Sequence, residues 1–315
     1  MGNNIFIAGH NGMVGSAILR NLSKNKSINI LVRNKKELNL TNQKQVLDFF
    51  NKNKINQVYL CAARVGGIHA NNSYPANFLY ENLMIQSNVI NSCFENDVEK
   101  LLFLGSSCIY PRLAPQPIAE ESLLTSSLEP TNEAYAIAKI SGLKMCEFYT
   151  KQYSSKKKID YRSVMPTNLY GQGDNYDLNN SHVIPALIKK IHNAKLNNTK
   201  HVKIWGDGSP LREFMHVDDL ADACTFYMNL DHEKVKNHSF INIGSGNEIT
   251  IKDLALLIIK IIGFKGVIKF DKSKPNGTPR KLMDSSKIND LGWHPKINLE
   301  EGIIKTYQNF LKEYE

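Results

Sequence analysis

The sequence predicts an α/β fold, a doubly wound parallel sheet with a smaller C-terminal α/β lobe, and three observations carry that expectation. Short continuous apolar runs at residues 5–8, 29–32, 57–63 and 101–104 alternate with helix-length segments, as strands buried on both faces of a parallel sheet do. The first run opens directly into Gly9-His10-Asn11-Gly12-Met13-Val14-Gly15, glycines spaced by three ahead of an apolar-periodic stretch. The fourth run ends in Gly105-Ser106-Ser107-Cys108-Ile109-Tyr110-Pro111, and Tyr135-Ala136-Ile137-Ala138-Lys139 then starts a helical pattern.

Taking the elements in order, the strand at 5–8 and the helix after Gly15 frame a turn tight enough for backbone to approach a pyrophosphate at a helix N-terminus. The strand at 29–32 ends where dinucleotide folds select their cofactor. An acidic residue there would bind a ribose 2′-hydroxyl, but this chain has Arg33-Asn34-Lys35-Lys36, cations suited to a 2′-phosphate, so NADP is expected over NAD. A loop and an amphipathic helix around 46–50 follow, then the strand at 57–63. Asn71, Asn72 and Pro75 read as a polar loop before a helix from about 77 to 96.

After the 101–104 strand, the helix opened by Tyr135 runs to Tyr153, and residues 160–166 form a further strand. Regular alternation then frays. A polar loop spans 173–181, including Asn179 and Asn180, and a helix starts at His182-Val183-Ile184-Pro185. A short strand is expected at 214–217, a helix at 217–229 and a strand at 239–243. The C-terminal lobe should hold a helix at 251–262, a strand at 267–271, a loop from Pro275 to Lys281, and a last helix from 299 to about 312. By this reading residues 1–170, with about 212–246, form a Rossmann-type cofactor domain, while about 171–211 and 247–315 bind substrate.

Composition narrows the classes. The chain has 315 residues, 42% of them hydrophobic, and a formal charge of +9. Its lysines are spread along the chain without an aromatic-interleaved basic stripe, so a polyanionic small ligand is expected and nucleic acid is not. No apolar run reaches bilayer-spanning length and no signal peptide is visible, so a cytoplasmic protein without membrane attachment is expected. The cysteines Cys61, Cys93, Cys108, Cys146 and Cys224 show neither C-x-x-C spacing nor a metal-ligand cluster, so no metal is expected. Cys108 stands apart by its place two residues past Ser106.

The chemistry gathers at the strand ends. Tyr135 and Lys139, four apart on a helix, share a face, where the cation should lower the phenol pKa and make it a proton donor near neutrality. Ser106 and Ser107 at the end of a buried strand supply hydroxyls for a carbonyl oxygen. A non-catalytic dinucleotide-binding sensor would need the glycine turn but would have no use for Ser106, Tyr135 and Lys139 together.

With Gly9-x-x-Gly12-x-x-Gly15, Ser106-Ser107, Tyr135-x-x-x-Lys139 and Pro166-Thr167-Asn168 in order, the chain resembles the extended short-chain dehydrogenase/reductases that modify nucleotide sugars. More narrowly it resembles the GDP-L-fucose synthase family, NADPH-dependent 3,5-epimerase-4-reductases of GDP-4-keto-6-deoxy-mannose. The blocks that carry this are Glu129-Pro130-Thr131-Asn132-Glu133-Ala134-Tyr135, Ser163-Val164-Met165-Pro166-Thr167-Asn168-Leu169-Tyr170-Gly171, Asn180-Ser181-His182-Val183-Ile184-Pro185-Ala186, Arg212-Glu213-Phe214-Met215-His216-Val217-Asp218-Asp219 and Gly277-Thr278-Pro279-Arg280-Lys281.

The resemblance implies roles. Ser106 and Tyr135 would bind the C4 oxygen, with Tyr135 giving the proton and Lys139 holding the nicotinamide ribose. Cys108 and His182 would be the epimerisation acid/base pair. NADPH would contact Gly9, Asn11, Gly12, Met13, Val14, Gly15, Arg33, Lys35, Lys36, Leu104, Gly105, Ser106, Tyr135, Lys139, Pro166, Asn168, Leu169 and His182. The GDP-sugar would contact Ser107, Asn168, Val183, Lys190, Trp205, Arg212, Asn276 and Lys281. The family often has Arg at the place of Asn11 and of Lys190, and Asp at that of Asn276. A homodimer through the long helices is also implied. The alternative is a C4 reductase without epimerase activity, acting on a related GDP-4-keto-sugar such as a 6-deoxy-heptose.

Overall fold

The computed structural model describes residues 3–178, 181–274 and 276–314, so Asn179, Asn180 and Pro275 lie outside the described residues. β1 (Asn3–Ala8), β2 (Ile28–Leu31), β3 (Gln57–Leu60), β4 (Lys100–Leu104) and β5 (Asp160–Pro166) alternate with α1 (Met13–Leu22), α2 (Gln43–Lys52), α3 (Ile68–Ser73), α4 (Pro75–Glu95) and α5 (Glu133–Tyr153). Beyond them lie β6 (Asn168–Tyr170), α6 (Val183–Leu196), β7 (His201–Trp205), β8 (Leu211–His216), α7 (Val217–Asn229), α8 (His232–Val235) and β9 (Ile241–Ile243). The chain ends with β10 (Glu248–Thr250), α9 (Ile251–Ile262), β11 (Val267–Asp271), β12 (Arg280–Lys281), α10 (Ser286–Asp290) and α11 (Leu299–Tyr314).

Among the described residues, one sheet runs β2-β1-β3-β4-β5-β9, every pair parallel. The order reverses between β1 and β3, the switch point at which doubly wound sheets take ligands beyond their carboxyl ends. The apolar runs of β1, β3 and β4 become strands buried in the sheet, with β2 less buried at its edge. One face is covered by α2, α4 and α5, through a core that includes Phe6, Phe50, Val89, Phe103, Leu143 and Cys146. The other is covered by α1 and α7, through Ile18, Tyr59, Leu102, Leu220 and Tyr227. A second sheet is centred on β8, which pairs with β6, β10 and β12, while β7 pairs with β11. α6, α9 and α11 pack around these strands over a third core.

Among the departures from expectation, four have a visible cause. Asn71 and Asn72 fall in α3 instead of a polar loop, because Asn71 turns its amide back onto the Gly66 and Gly67 carbonyls at 2.7 and 3.1 Å. β3 stops at Leu60, since the chain beyond it must pass over Gly9, where a Cβ would stand 2.7 Å from the Ala62 nitrogen. β8 begins at Leu211 and ends at His216, one residue before the helix. The loop up to Lys281 ends as the strand β12, because Arg280 and Lys281 find pairing partners at Leu211 and Arg212.

Candidate active site

The turn after β1 is closed by backbone. Gly12 N–H donates to the Gly9 carbonyl at 3.0 Å, Gly9 has φ +91°, and a Cβ on Gly15 would stand 2.1 Å from the Gly9 oxygen. Only glycine fits either place. The result is a helix N-terminus with no side-chain cap, with Asn11 and Gly12 exposed in front of it. A dinucleotide pyrophosphate suits that cradle, since free N–H groups and the helix dipole both favour an anion. Arg33, Lys35 and Lys36 are exposed past the end of β2, while Glu37 is drawn into the local turn by accepting the Asn34 N–H at 2.8 Å.

The groups that the sequence puts forward for the reaction sit past β4. Gly105, whose Cβ would collide with the Met165 side chain, brings the chain close against β5 before it turns. Ser106 then caps a short 3-10 helix from Ser107 to Ile109, its Oγ accepting the Cys108 N–H at 3.3 Å. The loop beyond is moored to the first sheet by buried groups. Tyr110 Oη donates to Asn242 Oδ1, the Asn242 amide donates to the Ile118 carbonyl at 2.9 Å, and Asn242 N–H donates to Glu120 at 2.9 Å.

α5 brings Tyr135 and Lys139 to this place because Gly142 lets it lie close. A side chain there would meet Phe103 at 2.5 Å and Gln86 at 2.8 Å, and Gln86 itself donates to the Ala138 carbonyl at 2.6 Å. Lys139 is buried, donates to the Leu104 carbonyl at 2.8 Å, and lies 5.7 Å from the centroid of the Tyr135 ring. The expected lowering of the phenol pKa is corrected here. Burial, and after it the charge of Cys108, raises Tyr135 above the ordinary tyrosine range, while burial lowers the Lys139 ammonium to about 8.

Cys108 is 8% exposed, the other free cysteines apart from Cys61 being buried as well. Burial holds its thiol above the ordinary value, and Lys281, the Ser106 hydroxyl and Lys139 act in the opposite sense. The resting group is therefore a thiol, poised for conversion to thiolate by cations already in place. His182 stands at the N-terminal cap of α6 without a capping hydrogen bond. His182 is exposed by surface area, yet neighbouring atoms desolvate its imidazole and lower its pKa, with Lys281 adding to the effect, so the resting ring is mainly neutral. Cys108, Tyr110, Glu129, Asn132, Thr278 and Lys281 line a common pocket.

The remaining expected groups divide between two places. Asn168 donates its amide to the Glu213 carbonyl at 2.9 Å, beside Pro166 and Leu169 at the end of β5 and the start of β6. Val183 opens α6 next to His182, and Ser107 is buried beside Cys108. Lys281 pairs in register with Arg212, and both cations are held below their ordinary pKa by burial. Trp205 is 60% exposed, with Lys190 at 5.4 Å and Lys274 at 5.6 Å from its ring centroid. The indole is therefore exposed within reach of two ammonium groups, in a positive surrounding. Asn276 spends its side-chain oxygen on the Asp207 N–H at 2.9 Å, pinning the turn after Trp205.

Two residues near these groups were missed by sequence reasoning. Lys274 was hidden among dispersed lysines, although its place in the loop after β11 brings it within 5.6 Å of the Trp205 ring centroid. Glu213 follows Arg212 in an apolar stretch, and an acid in such a strand was the available signal.

The chain matches the NAD dependent epimerase/dehydratase family over residues 5–244. It is 55% identical over 313 residues to GDP-L-fucose synthase of Escherichia coli (strain K12), spanning 98% of this chain and 96% of that protein. Among solved structures, MlghC, a GDP-mannoheptose C4 reductase from Campylobacter jejuni with NADP bound, is similar with a TM-score of 0.90 and 41% identity, covering 98% of each chain. A GDP-L-fucose synthetase from Naegleria fowleri bound to NADP is similar with a TM-score of 0.89 and 26% identity, covering 99% of this chain and 95% of that one. The parallel sheet with its glycine turn, the grouping of Ser106, Cys108, Tyr135 and Lys139 and this similarity over nearly the whole chain agree: the chain belongs to the NAD dependent epimerase/dehydratase family and, within it, to the GDP-L-fucose synthase family.

Proposed function

We propose that the chain is an NADPH-dependent 3,5-epimerase and 4-reductase that converts GDP-4-keto-6-deoxy-D-mannose to GDP-L-fucose. The observation that carries this reading is the placing of Cys108 beside Ser106 and within the field of Tyr135, Lys139 and Lys281, a thiol and a phenol serving one reaction centre. A reductase alone needs the phenol. Identity of 55% to a GDP-L-fucose synthase supports the same reading over the heptose C4 reductase.

A ketone at C4 acidifies the hydrogens at C3 and C5. Cys108, as thiolate, removes each in turn, and the Ser106 and Tyr135 hydroxyls stabilise the enolate oxygen. Lys281 supports the thiolate. His182 returns the proton from the opposite face, after taking one up, because its resting ring is mainly neutral. When bound, NADPH supplies the hydride that reduces C4. Tyr135 gives the C4 oxygen its proton, and Lys139 orients the nicotinamide ribose.

Guanine stacks on Trp205, while Lys190, Arg212 and Lys281 meet the diphosphate. Apart from Arg212, residues 1–170 with about 212–246 serve the cofactor, and about 171–211 with 247–315 serve the nucleotide sugar. The protein works in the cytoplasm, off the membrane, as a homodimer joined through its long helices, where Tyr80, Ile137 and Phe148 are exposed. Among the described residues no helix is long and apolar enough to cross a membrane. Light scattering tests the dimer.

The activity is tested by incubating the purified protein with GDP-4-keto-6-deoxy-mannose and NADPH in deuterated water. Deuterium at C3 and C5 of the reduced product supports the proposal. Reduction with no deuterium at either carbon would leave a C4 reductase, and no reduction at all would remove both readings.

A further inference from the structure

Glu213 lies on the central strand of the second sheet with its side chain wholly buried. Its carboxylate accepts the Gly246 N–H at 2.8 Å and the Met283 N–H at 3.0 Å, from the loop after β9 and the segment after β12. Its backbone carbonyl accepts the Asn168 amide at 2.9 Å and the Thr167 hydroxyl at 3.4 Å. The chain at Gly244 closes on the carboxylate without a side chain, since a Cβ there would stand 2.3 Å from its Oε1. One residue thus joins the end of β5, the end of β9 and the strand that carries Lys281.

The neighbours give this junction its direction. Arg212 precedes Glu213, so on a pleated strand the two side chains leave by opposite faces. Arg212 reaches toward Gly277, where a Cβ would lie 3.3 Å from its guanidinium. Lys281 pairs with Arg212, and Met283, held by the carboxylate, is two residues further along. Fixing the Met283 N–H therefore fixes the register at which Lys281 is offered beside Arg212. A buried carboxylate answered by backbone N–H groups leaves those donors unpaired when it is removed.

We propose that Glu213 is a positioning residue that registers the cations Arg212 and Lys281 against the end of β5 at Thr167 and Asn168, an inference that rests on the proposed function for the identity of the substrate. It touches neither substrate nor cofactor. It acts through the strand that holds the diphosphate-binding charges.

Glu213→Gln and Glu213→Asp in the full chain test this, with GDP affinity read by calorimetry, the KM for GDP-4-keto-6-deoxy-mannose, NADPH affinity by fluorescence and a thermal melt. In Glu213→Gln the GDP affinity should weaken and the KM rise by about tenfold or more, with NADPH affinity within about twofold of wild type. Glu213→Asp, which keeps the charge one methylene short, should recover part of the loss. Unchanged GDP affinity in a folded variant, or GDP and NADPH affinities weakening in parallel, would overturn the inference. Should Glu213→Gln not fold, Glu213→Asp decides: folded with weakened GDP binding supports it, while wild-type GDP binding or failure to fold overturns it. A wild type that binds GDP but reduces no ketosugar would sink the proposed activity and leave the GDP comparison standing as the test.

Discussion

The Lys139 ammonium donates to the Leu104 carbonyl at 2.8 Å, so the strand that ends at the reaction centre and the helix that carries the tyrosine are tied by one hydrogen bond. That ammonium is buried and its pKa falls from 10.5 to about 8. An unfolded chain keeps the ordinary value and so holds more protons across this interval, which means that the contribution of Lys139 to stability rises with pH from about 8 to 10.5. The rise is on the order of 3 kcal/mol. Lys139→Met should lack it, and urea titrations of both proteins along this pH range should show wild type gaining on the variant. Parallel pH dependences would contradict the argument.

Cys108→Ser should abolish deuterium incorporation at C3 and C5 while NADPH still binds, because serine at this place is too weak a base to form the enolate. The pH profile of exchange carries more information. Burial raises the Cys108 thiol, and burial with Lys281 lowers the His182 imidazole. The reactive pair, thiolate with imidazolium, is a minor form whose fraction is flat between the two values and falls outside them. A broad plateau through neutrality is expected, and a narrow bell centred there would disprove it.

Tyr135→Phe should lower the rate of C4 reduction by about 10²- to 10⁴-fold, the usual worth of a placed proton donor. Deuterium exchange should persist, since Cys108 and Ser106 remain. Loss of both activities together would mean that the phenol also holds the enolate indispensably.

Arg33→Ser should weaken NADPH binding by about tenfold and leave NADH nearly unaffected, because only the former carries the 2′-phosphate that a charged donor would meet. Equal losses for the two cofactors would show that Arg33, which lies 5.5 Å from the Phe49 ring centroid, serves packing alone.

Trp205→Ala should weaken GDP binding by about tenfold while leaving the melt unchanged, since the exposed indole contributes stacking more than core. A drop in stability with unaltered GDP affinity would assign it to packing.

Much of the fold was legible in the sequence where one local signal dominates. The strand at 160–166, which Pro166 closes, and the helix at 251–262, with its clean 3.6-residue period, begin and end where expected, because such local signals need no distant partner to be read. β6, β10 and β12 were not legible. They are two or three residues long and owe their extended form to pairing with β8, which for β12 joins Arg280 to Leu211 across 69 positions of sequence and leaves no period. The site divides in the same way. Spacing put Tyr135 and Lys139 on one helix face and Ser106 and Cys108 at a strand end, and the family resemblance joined them in one site, whereas the titration of Tyr135 and His182 follows from burial that only the assembled chain creates. Glu213 was passed over because an acid next to an arginine ordinarily reads as a solvated pair.

The chain leaves the first sheet at Thr167, contributes β6 and β8 to the second, returns for β9, and leaves again for β10 and β12. Neither half is therefore written as one continuous passage of the gene. Exchanging one sheet for a relative's would take several crossovers, where modules lying end to end need one, and an engineer who grafts either sheet inherits the same constraint.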